Sequence, residues 1–271
     1  MKRSERLVDF TDYLLNNPNT VISLTFFSNR YEAAKSSISE DLSIIKRVFK
    51  RENVGDITTY AGATGGVVFT PSISDEASLE IAHDLIKRID EGNRILPGGY
   101  IYLSDLLGDV RVLKNIGRII SHEFKDVKVD AIMTIATKGV PIAQSVAEVL
   151  DVPFVIARRD PKVTEGATIS VNYMSASSSS VEKMTLSKRS LQSGSNVLLI
   201  DDFMKGGGTF QGMKSLVEEF DCTVAGIAVL AEGIFRGERQ VQDSKSIIRV
   251  NELDLKSGKI DLSLGSIYDE K

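Results

Sequence analysis

The sequence predicts an α/β chain in two parts. A small N-terminal unit of three helices and a β-hairpin precedes a larger unit built on a mainly parallel sheet with helices on both faces. Three observations predict this. Short amphipathic stretches with helical spacing fill residues 4–51. Two β-branched runs follow, at 54–60 and 65–70. From residue 109 onward, apolar runs alternate with helical periodicity, the pattern of strands buried in a parallel sheet. A length of 271 residues suits one large domain or two smaller ones. The expected division is 1–73 and 74–271.

In the first unit, Leu7, Phe10, Leu14 and Leu15 share one face of a helix over 4–17, which Asn16-Asn17-Pro18-Asn19 ends. A short helix covers 24–31. A third starts near Ser36, where Ser37 and Glu40 have capping-box spacing. Ile38, Leu42, Ile45 and Phe49 give it an apolar stripe and leave Lys46, Lys50 and Arg51 outside. The two strands that follow are joined by Ala61-Gly62-Ala63-Thr64. This order is the winged helix-turn-helix layout, in which the third helix lies in the major groove of DNA. A generic small helical bundle is the other reading.

Residues 71–74 read as the boundary, with Ser74 capping a new helix whose first turn holds Asp75 and Glu76. Leu96-Pro97-Gly98-Gly99 is a turn or a second connector. The alternation then runs helix 109–124, strand 131–136, helix 140–150, strand 154–158, strand 197–201, helix 209–220 and strand 224–231. The serine run 175–180 reads as the tip of a long mobile hairpin or as an ordinary disordered loop.

Composition excludes several classes. Hydrophobic residues make up 42% and charged residues 26%, ordinary for a globular protein. The apolar runs are too short to span a bilayer, and the charged start resembles no signal peptide. The expectation is a cytoplasmic protein. One cysteine and two histidines exclude a disulfide framework and argue against a structural zinc site. His83 and His122 lie on predicted helices, away from any Ser-His-Asp pattern, and Cys222 reads as a small core residue.

Net charge is −4, yet residues 1–72 carry nine Lys and Arg against eight Asp and Glu. Lys35, Ser36, Ser37 and Ser39 open the third helix, the end that reads base edges in helix-turn-helix proteins. Lys2, Arg3, Lys46 and Arg47 are placed for phosphates. The same basic residues are equally described as a solvated helix face. So modest a charge implies that a dimer is needed for adequate affinity.

The chemistry concentrates at Val197-Leu198-Leu199-Ile200-Asp201-Asp202-Phe203-Met204-Lys205-Gly206-Gly207-Gly208-Thr209. An apolar strand ends in two carboxylates and passes through a glycine loop into a helix. Gly206, Gly207 and Gly208 let backbone amides approach an anion, and the helix start adds a favourable dipole. Lys205 supplies charge and Thr209 a hydroxyl. Asp201 and Asp202 are placed to accept from ribose hydroxyls. The spacing is neither a Walker loop nor Gly-x-Gly-x-x-Gly. A second loop, Ala136-Thr137-Lys138-Gly139-Val140-Pro141, also joins a strand end to a helix start, where ligands of open α/β sheets bind.

The first motif resembles the phosphoribosyl pyrophosphate (PRPP) motif of type I phosphoribosyltransferases. The chain as a whole is similar to the purine operon regulators of Gram-positive bacteria. The likeness includes residues 36–42, 95–100, 162–166 and 193–197 as well as both loops. It implies a winged helix fused to a type I phosphoribosyltransferase-like domain. It also implies a homodimer that binds DNA upstream of purine genes and takes PRPP as effector, with guanosine tetraphosphate as a competitor in some relatives. Thr137, Lys138 and Gly139 would then hold pyrophosphate, and Tyr100 and Phe203 would flank a base or ribose. Core packing is an equal reading of Tyr100.

Of the pair Arg158-Arg159, Arg158 is taken as the ligand. Lys188-Arg189 either reaches phosphates or is a solvated pair. Beyond Phe203 no base-reading set is evident, and Lys205 stands where many enzymes of the family have a small residue. PRPP is therefore expected to bind without turnover and with no catalytic residue. Magnesium would be held through its pyrophosphate, with no protein metal site. The alternative is an active purine phosphoribosyltransferase with an added N-terminal module.

Overall fold

The computed structural model describes residues 1–62, 65–91, 94–97, 99–160, 163–175, 180–235 and 237–269. Ala63 and Thr64 of the hairpin turn, Gly98, Lys162 and the serine tip 176–179 lie outside the described residues. The chain divides into two units. One comprises Met1–Ala77 with Val149–Asp151, the other Ser78–Glu148 with Val152–Lys271.

In the first unit, α1 (Arg3–Leu15), α2 (Leu24–Tyr31) and α3 (Lys35–Arg51) precede strands β1 (Gly55–Tyr60) and β2 (Gly66–Pro71). The strands pair antiparallel, with Tyr60 opposite Gly66, and Ile22 bridges to Val67. The residues of the predicted helical stripes meet in one core. Phe10 and Phe27 are fully buried with ring centroids 4.1 Å apart, and Phe49 lies 5.0 Å from Phe69 of β2. Burying each such ring contributes about 1.5–3 kcal/mol. Ser23 caps α2 by accepting from the Phe26 amide.

The start of α3 corrects one expectation. Its N-cap is Ala34, so Ser37 and Glu40 lie inside the helix and form no capping box. The cause is the turn before it. Glu32 is left-handed, and the Ser28 hydroxyl donates to the Ala33 carbonyl at 2.6 Å. Helical dihedrals therefore begin at Lys35.

Helix α4 (Asp75–Asp90) starts at a Ser74 cap whose Oγ accepts from the Ala77 amide, and it crosses from the first unit into the second. The second unit holds the hairpin β3 (Ile95–Leu96) and β4 (Tyr100–Ile101). Then come α5 (Val110–Glu123), β5 (Ala131–Ile135), α6 (Gly139–Leu150) and β6 (Phe154–Ala157). A second hairpin, β7 (Thr168–Met174) and β8 (Val181–Ser187), precedes β9 (Asn196–Met204), α7 (Gly208–Glu219) and β10 (Thr223–Glu232). The last strands are β11 (Ser244–Asp254) and β12 (Lys259–Leu264).

The central sheet has the order β12-β11-β10-β9-β5-β6, parallel except for β12. Its β5, β9 and β10 have both faces buried, as their continuous apolar runs require. Met133, Leu199 and Val229 pack with Phe210, Met213 and Leu216 of α7 and with Tyr173 and Met184 of the second hairpin. Side chains alternate along a strand, so Ile132, Leu198 and Ala228, also fully buried, face the other side. There α5 and α6 are tied by a bond from Ser145 Oγ to the Leu113 carbonyl.

Two features go beyond the sequence pattern. β11 and β12 extend the sheet past the last strand the sequence marks, because charged residues such as Lys245, Arg249 and Asp261 interrupt their apolar periodicity. β9 continues through Met204, since Met204 still pairs with Glu232 of β10. Among the described residues no helix is long and apolar enough to cross a membrane.

Candidate functional site

The second unit carries a cavity of about 310 Å³ at the carboxyl ends of β5 and β9. Its floor is the glycine loop. Beyond Met204, Gly206 and Gly207 turn the chain into α7. Gly207 is the N-cap, left-handed at φ 83°, and a Cβ there would lie 2.6 Å from Val241 Cγ2. Conformation and space both demand glycine. Having no side chain, it caps none of the first amides of α7, which are donors without intrahelical partners. Gly208, Thr209 and Lys205 line the cavity beside them.

The second loop lies against the carboxylate pair. Thr137 and Lys138 are exposed in the turn between β5 and α6, where the Ala136–Thr137 peptide is cis, and Lys138 lines the cavity. Gly139 is buried beneath them. A Cβ on it would sit 2.3 Å from Thr134 Oγ1 and 2.8 Å from Asp201 Oδ1. Any other residue would force the loop away from β9.

The two aspartates occupy different environments. Asp202 is half-buried and lines the cavity. Asp201 is 8% exposed, and its Oδ1 accepts from the Asp202 amide at 2.9 Å. Burial, reinforced by the Asp202 charge, pushes its carboxyl well above the ordinary range. Among the described residues no three His, Cys, Asp or Glu side chains form a metal-binding group.

Tyr100 lies at the cavity and not in the core. It is 61% exposed, and the Lys205 ammonium stands 5.4 Å from its ring centroid. Phe203 also lines the cavity. The arginine expected here is displaced by one residue. Arg159 lines the cavity, whereas Arg158 bonds Glu165 at 3.3 Å and bridges through its backbone to Thr185 of β8. Side chains alternate at the strand end, so neighbouring arginines diverge. Arg159 is paired with Glu182 at 3.0 Å, and Glu182 also accepts from the Tyr173 hydroxyl. Ser175 is a further lining residue that sequence reasoning missed, since one serine in a run carries no distinguishing signal.

The first unit presents α3 as its candidate nucleic-acid interface. Lys35, Ser36, Ser39 and Arg47 are exposed, and Ser37 is half-buried. Ser43 and Lys50 extend the exposed surface of the helix. Lys2 is exposed at the N-cap of α1. Two of the residues expected to contact phosphates have internal partners instead. Arg3 bonds Asp41 and Glu40, while Arg6 joins Asp41 at 2.6 Å, and Asp41 is fully buried. Lys46 donates to the Ile57 carbonyl at 2.6 Å and faces Asp56. A buried carboxylate and an unpaired strand-edge carbonyl each require a donor, and these side chains supply it.

Comparison with known proteins joins the two units. Residues 2–71 match the family described as bacterial purine repressor, N-terminal, and residues 104–264 match the phosphoribosyl transferase domain. The chain is 62% identical over 271 residues to the purine biosynthesis transcriptional activator PurR of Lactococcus lactis subsp. lactis (strain IL1403), with 100% of both chains covered. The chain belongs to the PurR family. A second member, the purine biosynthesis transcriptional repressor PurR of Bacillus subtilis (strain 168), is 48% identical, covering 98% of this chain and 93% of that one. PurR-family likeness thus spans both activators and repressors.

The xanthine phosphoribosyltransferase of Clostridioides difficile is 30% identical over 151 residues, 55% of this chain and 76% of that one. An adenine phosphoribosyltransferase structure from Thermoanaerobacter pseudethanolicus shares the fold. Its TM-score is 0.50 at 23% identity, over 55% of this chain and 87% of that one.

The Asp201 environment yields a signed prediction. An unfolded Asp titrates near 3.8, and the folded one titrates higher. Stability is undiminished below the unfolded value and falls as pH rises through the window above it. Asp201→Asn removes that loss. At pH 7 the variant should be more stable by about 0.5–2 kcal/mol in urea unfolding. The advantage should vanish on acidification below the ordinary carboxylate range; an advantage that grows on acidification contradicts the assignment.

Proposed function

We propose that this chain is a DNA-binding regulator of purine biosynthesis genes whose phosphoribosyltransferase-like unit senses PRPP without turning it over. The observation that carries the reading is the combination in one chain. A cavity with an uncapped glycine-loop helix start and an adjacent carboxylate shares the chain with a winged helix, and full-length PurR relatives are named as regulators.

In this reading the 5′-phosphate of PRPP sits on the amides of residues 205–209, where backbone donors and the α7 dipole favour an anion. Lys205 and Thr209 add charge and a hydroxyl. Asp202 accepts from the ribose hydroxyls, backed by Asp201. Pyrophosphate meets the turn of Thr137, Lys138 and Gly139, with Arg159 in place of Arg158. Tyr100 and Phe203 frame the remaining space, which suits the base of a competing nucleotide such as guanosine tetraphosphate. Magnesium fits as a companion of the pyrophosphate. It would be held through the pyrophosphate oxygens, with waters completing its shell.

These contacts hold the ground state. Binding that does not strengthen in the transition state leaves the chemical step unaccelerated. The second reading, an active phosphoribosyltransferase, is favoured by the 30% identity to a xanthine phosphoribosyltransferase. A gel shift with DNA from upstream of purine genes, with and without PRPP, separates the two when pyrophosphate release with xanthine, guanine, hypoxanthine and adenine is followed in parallel. The regulator reading predicts a PRPP-dependent change in DNA affinity, no release, and loss of the response in Asp202→Ala. Base-dependent release at about 1 s⁻¹ or faster, with DNA binding indifferent to PRPP, overturns it.

On the DNA side, α3 enters the major groove with Lys35, Ser36 and Ser39 toward base edges, and Lys2 and Arg47 take phosphates. Two copies of the chain supply the charge that one lacks. Arg47→Ala should lower the salt slope of DNA binding by about one unit. Arg3→Ala should leave the slope unchanged and loosen α1 from α3, because Arg3 is committed to Asp41. The reverse pattern in filter binding across a salt series contradicts the assignment.

A further inference from the structure

The glycine loop is held from behind by the segment that follows β10. The Gly233 amide donates to the Met204 carbonyl at 2.7 Å, and the Gln240 amide to the Gly206 carbonyl at 2.9 Å. Arg239 fixes this segment. One of its terminal nitrogens donates to Glu232 Oε2 at 2.6 Å and the other to the Gly233 carbonyl at 3.1 Å. Glu232, the last residue of β10, is 4% exposed. Its Oε1 accepts from Arg249 Nε at 2.9 Å and from Ser246 Oγ at 3.0 Å. Burial alone would raise its carboxyl; the bonds from Arg239, Arg249 and Ser246 outweigh this and hold it low.

The network continues away from the cavity. Arg249 grips Asp269 with both terminal nitrogens, at 3.3 and 2.8 Å, and Ser246 exchanges bonds with Ser266. These contacts fix the short 3-10 turn Ser266–Tyr268. From it the buried Tyr268 hydroxyl reaches Ser78, 2.9 Å from Oγ and donating to the carbonyl at 3.2 Å. Ser78 is 1% exposed in α4 and is the first residue of the second unit. The preceding residues of the same helix, Asp75 to Ala77, belong to the winged-helix unit.

We propose that Glu232, which lines no part of the cavity, is a positioning residue of the glycine loop and the head of a relay. The relay runs through Arg249, Asp269 and Tyr268 to Ser78, and makes occupancy of the loop felt at the helix leading into the DNA-binding unit. A carboxylate saturated by two guanidiniums in a buried site tolerates little local distortion, so a shift of the loop passes along its partners. The proposal rests on the regulator reading and supplies its coupling step.

Tyr268→Phe tests it, because the ring stays and only the hydroxyl is lost. Three affinities of the full-length protein are needed: for PRPP, for purine-control-region DNA, and for that DNA at saturating PRPP. The first two should stay within about twofold of wild type. The PRPP-induced change in DNA affinity, about 5–150-fold in typical coupled systems, should shrink at least about threefold. Glu232→Gln should weaken PRPP binding as well. A Tyr268→Phe protein with the full wild-type response overturns the relay. So does one whose DNA affinity shifts equally with and without PRPP, the mark of a merely structural hydroxyl. A wild-type protein that binds PRPP with no change in DNA affinity is a different outcome: it refutes the regulator reading and the relay with it.

Discussion

The contact between Gly139 and Asp201 is the constraint on which the cavity depends. β5 and β9 are sheet neighbours, and each ends in a loop that lines the cavity. The spacing of those loops is set where the two segments touch, and only a residue without a side chain permits it. The arrangement buries Asp201 at an electrostatic cost and turns its neighbour Asp202 toward the cavity. Stability is given up locally to fix the geometry of the cavity.

The winged-helix unit shows the opposite use of charge. Arg3 and Arg6 close on the buried Asp41, Arg30 on Asp9, and Lys46 on the wing strand. These side chains hold α1, α2, α3 and β1 together. A unit with so small a cationic excess therefore uses much of it internally, and its exposed cations include Lys2 at the N-cap of α1 and Lys35, Arg47 and Lys50 on α3. Phosphate-driven affinity scales with the number of such contacts. Formal charge counted along the sequence overstates what the surface can offer a polyanion.

What the sequence made legible follows from how local each signal is. The glycine loop, the aspartate pair and the Lys138 turn are contiguous runs whose residue types have few other uses. The helices of the first unit are readable from their apolar stripes. The choice between Arg158 and Arg159 was not, because it turns on a strand register one residue wide. The N-cap of α3 has no local signal, because the turn before it is closed by Ser28 of the previous helix. β11 and β12 carry no clear strand pattern because their charged residues serve partners elsewhere: Arg249 bonds Glu232 and Asp269, and Lys245 bonds Glu123. Glu232 itself has partners 7, 14 and 17 residues away, a separation no local pattern encodes.

A crystal structure of the chain with PRPP tests the central claim most directly. The account predicts the 5′-phosphate within about 2.7–3.2 Å of the amides of residues 205–209. It also predicts ribose hydroxyls on Asp202, pyrophosphate beside Lys138 and Arg159, and an unbroken bond between ribose and pyrophosphate. A phosphate seated elsewhere in the molecule, or a cavity left empty at saturating PRPP, would contradict it.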